Sequence, residues 1–450
     1  MTSIANHRQT IPSLRRGVFF SNNLRFRWDP LSLLSSCHEI ESPLIAIDDG
    51  FYIVTAPELI ETILHDRDDL FQKSGSPEDR DMVSFPSSLM NSSGDDWTVK
   101  RRAMQSDFNL RRVASGLRTT FGLTEAHLAR WQTGPASCDI RRLLQQLCFD
   151  VGCQFLLKIT LDEGGRVAFM ALSEAIILKT RDPVRLPLGR FDRTSYRLAS
   201  SREAAKTVAH AALARARQQH SGDGNAEGVG QFGIRASVEE DEWLCDEFCA
   251  MVLSGLEAMS AGLTWTLHLL TSHPDVLQRV AAEVNASGSA EWATGGGTIS
   301  LDAFPETRAS LMEAMRLFPP AWLTGRTVAR DTMLGDFFLA AGSALIISPW
   351  INHRSVRFFD EPGRFRPERW LDGRLQPRLP RYAFFPFGGG SKRCIGEHFS
   401  LMHMALVLVC ILRRFILKPM PNSKVRPYPA LVLRPLGVNL ALMPRATAGE

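Results

Sequence analysis

Phe387-Gly388-Gly389-Gly390-Ser391-Lys392-Arg393-Cys394-Ile395-Gly396 sets one cysteine in a glycine-rich loop directly ahead of an apolar stretch, Ile395 to about Leu412, that reads as a helix. With this chain's own Phe, Gly and Cys frequencies, the pattern Phe-x-x-Gly-x-x-x-Cys-x-Gly arises by accident with a probability on the order of 0.002. The chemistry that such a spacing serves is metal ligation. The thiolate is the ligand form of cysteine, backbone N–H groups stabilise its charge, and glycines let the backbone come close to it. The positive field of a helix N-terminus favours the same ionised form. A structural cysteine in a turn is the other reading of these residues, because buried free cysteines are common.

This loop resembles the cysteine loop of the cytochrome P450 family, the haem-thiolate monooxygenases, and further landmarks follow in that family's order from about Pro30 to Leu442. In Leu311-Met312-Glu313-Ala314-Met315-Arg316-Leu317-Phe318-Pro319-Pro320, Glu313 and Arg316 stand three apart on one helix face. The resemblance makes them two members of a structural triad that Arg369, in Phe365-Arg366-Pro367-Glu368-Arg369-Trp370, completes. Trp97-Thr98-Val99-Lys100-Arg101 resembles the family's Trp-x-x-x-Arg helix, which implies haem contacts from Trp97, Lys100 and Arg101. Arg326 and Lys392 stand where the family supplies further cations to the haem propionates, and Phe387, Gly390, Cys394 and Gly396 form the loop itself, with Cys394 as the iron ligand. Buried carboxylates need such partners, and any one of these cations read alone is a surface charge.

A second signal is the apolar stretch from about Asp246 to Ser272, long enough as one helix to traverse a domain. In the family the matching helix crosses the haem and carries Ala/Gly-Gly-x-Asp/Glu-Thr, whose acid and alcohol deliver protons. Here Ser254-Gly255-Leu256-Glu257-Ala258-Met259 keeps Gly255 and the acid Glu257 but has Ala258 at the alcohol position. Alanine can neither donate nor accept, so the resemblance leaves three proton routes: water held by Glu257, the Ser254 hydroxyl, or a polar group of the substrate. Losing an acid–base group commonly costs about 10²–10⁴ in rate, which points to specialised chemistry. Thr264, almost two turns on, reads as a helix residue bonding its own backbone.

By place in the family pattern, substrate contacts are expected from Met82, Val83, Phe85, Leu89 and Met90, from Leu256 and Met259, and from Trp322 and Leu323, with a lid around Arg181 to Phe191. The implied activity is oxidation of a mostly apolar small molecule by dioxygen, as hydroxylation, coupling, cyclisation or desaturation, in bacterial specialised metabolism. The implied cofactor is haem b. Electrons would come from NAD(P)H through a separate ferredoxin or flavodoxin and its reductase, docking near Arg378, Arg381 and Arg393 unless these are ordinary solvated charges. The substrate could be presented on a carrier protein. A haem-thiolate isomerase or dehydratase working without external electrons also tolerates Ala258, and a non-catalytic haem sensor leaves Glu257 without a task.

The elements that must position these residues are mostly helical. The expected fold is mainly α with small β-sheets and a long central helix over the haem, as one domain over 1–450 with an N-terminal lead-in over 1–30. Pro43 to Val54 alternates as strand, Pro57 to Leu64 reads as helix, and 221–233 and 286–298 read as exposed loops. A hydrophobic share of 44% suffices for a core, and 52 basic against 48 acidic residues give no mandate for nucleic acid. Eight cysteines without paired spacing read as reduced thiols. With no apolar N-terminal region, and with the longest apolar-rich run ending at Leu412, a cytoplasmic protein without a transmembrane segment is expected.

Overall fold

The apolar stretch expected from Asp246 begins five residues earlier and forms one 32-residue helix, Asp241–Ser272, about 48 Å long at 1.5 Å per residue. A helix apolar on nearly every side must be buried. Leu244, Phe248, Leu263, Leu267 and Leu270 are fully enclosed in the largest hydrophobic core. The computed structural model describes residues 10–14, 21–66, 68–73, 85–134, 137–181, 193–220, 241–286, 301–373, 375–421 and 423–445. Met82, Val83, the expected loops apart from Ala286, the expected lid beyond Arg181, and parts of the 1–30 lead-in lie outside the described residues.

The helices that frame the site are α1 (Gly94–Gln105), α2 (Leu110–Gln132), α3 (Ile140–Leu157), α4 (Glu163–Arg181), α5 (Asp241–Ser272), α6 (Pro305–Leu317) and α7 (Glu397–Arg414). Asn109 and Asp139 cap α2 and α3 by accepting the N–H groups of Arg112 and Arg141. Helix α3 runs along α5, and α6 and α7 pack beside it. The strands are β1 (Leu44–Asp48), β2 (Phe51–Val54), β3 (Phe71–Lys73), β4 (Thr324–Val328), β5 (Ala344–Ile347) and the hairpin β6 (Arg426–Pro429) with β7 (Leu433–Leu436). The first five form a sheet in the order β1-β2-β5-β4-β3, in which β2 and β5 are parallel and the other neighbours antiparallel. All eight cysteines are free thiols.

By length and composition, Glu242–Ser272 could cross a membrane, which the uninterrupted apolar run did not reveal; 78% of its most apolar window is buried inside the protein. Its acidic residues are absorbed by partners within the fold, as described below.

Helix α6 carries a fully enclosed ion pair. Arg316 holds Glu313 with two N–H groups, at 2.9 Å and 2.7 Å, and its remaining donors reach the carbonyls of His353, Pro362 and Arg364. Arg369 Nε adds a third charged donor to Glu313 at 3.0 Å, and Trp370 Nε1 a neutral one at 2.8 Å. The structure therefore brings the three residues of the expected triad together. Removing one partner of a buried pair strands the other charge, at a cost of about 3–5 kcal/mol. Arg316→Met should lower unfolding free energy by about that much in urea denaturation; a loss below about 1 kcal/mol would show that the network does not hold this region.

Candidate active site

The cysteine loop is shaped by close approach. Gly390 has φ +67°, and a Cβ there would fall 1.8 Å from the Leu64 carbonyl oxygen, while a Cβ on Gly389 would fall 2.1 Å from the Tyr382 ring. The loop closes on itself where the Cys394 N–H donates to the Phe387 carbonyl at 3.0 Å. Helix α7 starts at Glu397 with Gly396 as its cap, so Cys394 lies three residues ahead of the helix rather than at its first turn. Its help comes instead from the Gly396 N–H, which donates to the sulfur.

Burial pushes the Cys394 thiol above its ordinary range; the Gly396 N–H, Arg101 and Arg393 oppose that shift, and Glu397 adds to it. A coordinated metal cation would deprotonate such a thiol outright. Behind the loop Phe108, Phe155 and Phe399 form an aromatic wall, with ring centroids 5.2 Å and 4.3 Å apart. The thiol is surrounded by protein, yet exposed towards a slot of about 480 Å³ between the loop and α5.

That slot opens into a chamber of about 980 Å³. Ser254, Leu323, Arg326, Lys392 and Cys394 line both. Gly255, Leu256, Ala258, Met259, Phe387 and Gly396 line the slot, and Leu89, Trp97, Arg101 and Trp322 line the chamber. Four expected residues are on neither wall. Phe85 is in the core, and Gly390 turns the loop against Leu64. The Lys100 ammonium is spent on the Ser87 carbonyl, the Ser92 hydroxyl and Asp96, at 2.8, 3.0 and 2.8 Å. The fourth is Glu257.

Arg326 and Lys392 stand where the two cavities meet, and Arg101 stands on the chamber wall. Burial lowers the basicity of Arg101, Arg326 and Lys392, and Arg326 lowers Lys392 further. Crowded cations in a poorly solvated wall suit a ligand that carries carboxylates. Among the described residues no three His, Cys, Asp or Glu side chains converge on a metal position. A metal bound at Cys394 would therefore take its other ligands from outside the described side chains.

The family model for cytochrome P450 matches residues 16–441. The chain belongs to the cytochrome P450 family. It is 29% identical over 394 residues to cyclooctat-9-en-7-ol 5-monooxygenase of Streptomyces melanosporofaciens, covering 83% of this chain and 81% of the relative. Pentalenene oxygenase of Streptomyces avermitilis is 31% identical over 214 residues, covering 47% and 46%. A solved structure of a retinoic acid bound cyanobacterial CYP120A1 superposes with a TM-score of 0.81 at 19% identity, covering 98% of this chain and all of that one. This protein is thus a cytochrome P450 monooxygenase with the P450 fold, a haem enzyme that oxidises a small molecule.

In this P450 Glu257, the acid that the resemblance assigns to oxygen activation, is not among the slot-lining residues. Glu257 is 4% exposed and accepts from Arg434 Nε at 2.8 Å, Gln145 Nε2 at 2.8 Å and the Ser173 hydroxyl. Arg434 in turn reaches Glu174 at 3.0 Å and Ser173 Oγ at 2.9 Å. Helices α3, α4 and α5 and strand β7 are thereby tied at one point. Sequence reasoning missed Arg434, Gln145 and Ser173, since no spacing rule links 145, 173, 257 and 434. The one available signal was an arginine in the middle of an otherwise apolar strand, Leu433–Leu436. Thr264 bonds the Ser260 carbonyl at 2.6 Å and plays no part in the wall.

Arg434→Met leaves Glu257 buried without its cation and should cost about 3–5 kcal/mol in urea denaturation, whereas the double variant Glu257→Leu, Arg434→Met should regain at least half of that loss. Equal losses in the single and double variants would mean that the pair is not coupled.

Proposed function

We propose that this P450 oxidises a cyclic terpenoid with dioxygen, drawing electrons from NAD(P)H through a ferredoxin or flavodoxin and its reductase. The observation that carries this reading is the relation of the chamber to the thiol: walls of Leu89, Met90, Met251, Trp322 and Leu323 open directly onto Cys394. These side chains bind a hydrocarbon skeleton by apolar contact, while Arg101, Arg326 and Lys392 in the same lining are the cations assigned below to the haem carboxylates. The bacterial relatives named for cyclooctat-9-en-7-ol and pentalenene support the terpenoid class.

Cys394 would hold iron through its thiolate, with Arg101, Arg326 and Lys392 pairing the carboxylates of haem b and Trp97 flanking them. When bound, the haem supplies the oxidising power of dioxygen plus two electrons and two protons, leaving one oxygen atom in the product and one as water. The chain's own task is to deliver those protons and exclude others. Ala258 faces the slot and offers no proton. Glu257 is spent on Arg434, Gln145 and Ser173. Ser254, one turn earlier, lines both cavities and is exposed, with its hydroxyl donating to the Met251 carbonyl at 3.2 Å; protons pass at Ser254 Oγ when that hydroxyl turns to water or to a polar group of the substrate. Arg378, Arg381 and Arg393, all exposed, are the cations offered to the electron donor.

The test is incubation of the haem-loaded enzyme with cyclic terpenes, with and without dioxygen and a surrogate ferredoxin system. Products one oxygen heavier or two hydrogens lighter, formed only with electrons, support the reading; turnover without electrons identifies an isomerase instead. Ser254→Ala should lower product formed per NADPH at least tenfold, and Glu257→Gln should change it less than threefold, on the scale of a lost proton donor.

A further inference from the structure

Residues 247, 250, 251, 254, 255 and 258 recur at helical spacing and place Glu247 on the same face of α5 as Ser254 and Ala258. Glu247 is 2% exposed and lies in the chamber wall. One of its oxygens, Oε2, accepts the Leu89 N–H at 2.5 Å. A carboxyl has two acceptor oxygens, so beside the Leu89 N–H Glu247 keeps capacity for a further donor, whereas a neutral amide would satisfy that N–H without burying an ionisable group. The same lining holds the apolar Leu89, Met90, Ala250, Met251 and Trp322, together with the cations Arg27, Lys73, Arg101, Arg181, Arg326, Lys392 and Arg393, and Glu247 is the one acid among these lining residues.

We propose that Glu247 is the polar anchor of this chamber and holds a hydroxyl already present on an apolar polycyclic substrate. The inference rests on the terpenoid reading above and adds the functional group. A neutral hydroxyl is the chemistry that fits the charges nearby. The ammonium groups of Lys73 from β3 and Lys100 from α1 act on Glu247, as does the carboxylate of Asp246 on its own helix. The first two oppose a substrate cation, and Glu247 itself opposes a substrate anion. Lys73 is committed to the Leu89, Met90 and Ser92 carbonyls, and Asp246 to the Ser87 N–H and Lys206. Eleven residues, about 16 Å of helix, separate Glu247 from Ala258. A bound hydroxyl therefore lies at the far end of the skeleton from the oxidised carbon, and an earlier hydration or oxygenation must have installed it.

Burial raises the Glu247 carboxyl to about 7, partly opposed by the Leu89 N–H and Lys100. Below that pH it is neutral, and above it ionised. A hydroxyl donates more strongly to a carboxylate than to a neutral carboxyl, so affinity for an alcohol should rise with pH across this range.

The experiment titrates the haem-loaded enzyme spectroscopically with one abietane skeleton carrying a methyl, hydroxymethyl, carboxylate or aminomethyl group, at pH 6 and pH 8. The alcohol should bind at least tenfold tighter than the hydrocarbon at pH 8, with its Kd three- to tenfold weaker at pH 6, while the hydrocarbon stays constant. In Glu247→Gln the preference for the alcohol should fall to threefold or less and lose its pH dependence. The pH series on the unaltered protein stands even if the variant fails to load haem. Alcohol and hydrocarbon binding within twofold of each other, or tightest binding of the acid or the amine, overturns the anchor and leaves the terpenoid reading intact. No spectral response to any of the four overturns the terpenoid reading and the anchor with it.

Discussion

A carboxylate inside a protein must find charged or N–H partners or lose its charge, and this constraint organises the structure around α5. Three acidic residues on that buried helix each bind a segment far away in sequence. Asp246 takes the Ser87 N–H and Lys206, Glu247 takes the Leu89 N–H, and Glu257 takes Arg434, Gln145 and Ser173. The segment 85–92 is held from its other side as well, since Lys73 and Lys100 bind its carbonyls. Polar groups that would destabilise an isolated apolar helix thus determine where the chamber walls stand.

The floor is held by the same principle from another direction. Arg316, locked to Glu313, donates to the His353 carbonyl at 2.8 Å, and His353 Nε2 accepts the Phe385 N–H at 2.9 Å, two residues before the cysteine loop begins. Burial and the neighbouring Arg316 and Arg354 guanidiniums hold His353 well below its ordinary pKa, so it stays neutral and able to accept. A continuous set of hydrogen bonds therefore runs from the buried triad to the backbone that presents Cys394. Glu313, Arg316 and Arg369 line neither the slot nor the chamber, and reach the cysteine loop through these bonds alone among those described above.

Local signals were legible in the sequence where a single segment carries them. The helix Pro57–Leu64, the strands within Pro43–Val54, the Cys394 loop, the Glu313–Arg316 pair and the presence and C-terminal end of the central helix all follow from short-range spacing, whereas its start lies five residues ahead of the expected one. Side-chain direction was less legible. Lys100 lies one residue before Arg101, and that step turns its ammonium towards Ser87 and Asp96 and away from the cavity. Partners brought in by tertiary packing were not legible at all, because Arg434 reaches Glu257 across 177 residues from a short hairpin strand. The resemblance supplied the acid of the motif without the direction in which it points.

That direction follows from helix geometry. Consecutive residues are about 100° apart around a helix of 3.6 residues per turn, so with positions 255, 256, 258 and 259 on the slot, position 257 falls on the opposite side of the helix. In this chain Glu257 turns to α3, α4 and β7, and the residue left on the wall is an alanine. The stretch of wall from Gly255 to Met259 therefore offers no side-chain proton donor, and polarity on this face of α5 is displaced towards Ser254 and, two turns further, Glu247. On the proposed reading, a substrate in this chamber meets Ala258 and Met259 at its reacting end, Ser254 one turn away and Glu247 two turns beyond that. Selectivity and proton supply are on that reading separated from position 258, where the family pattern places an alcohol, and they depend on groups that the substrate itself must reach.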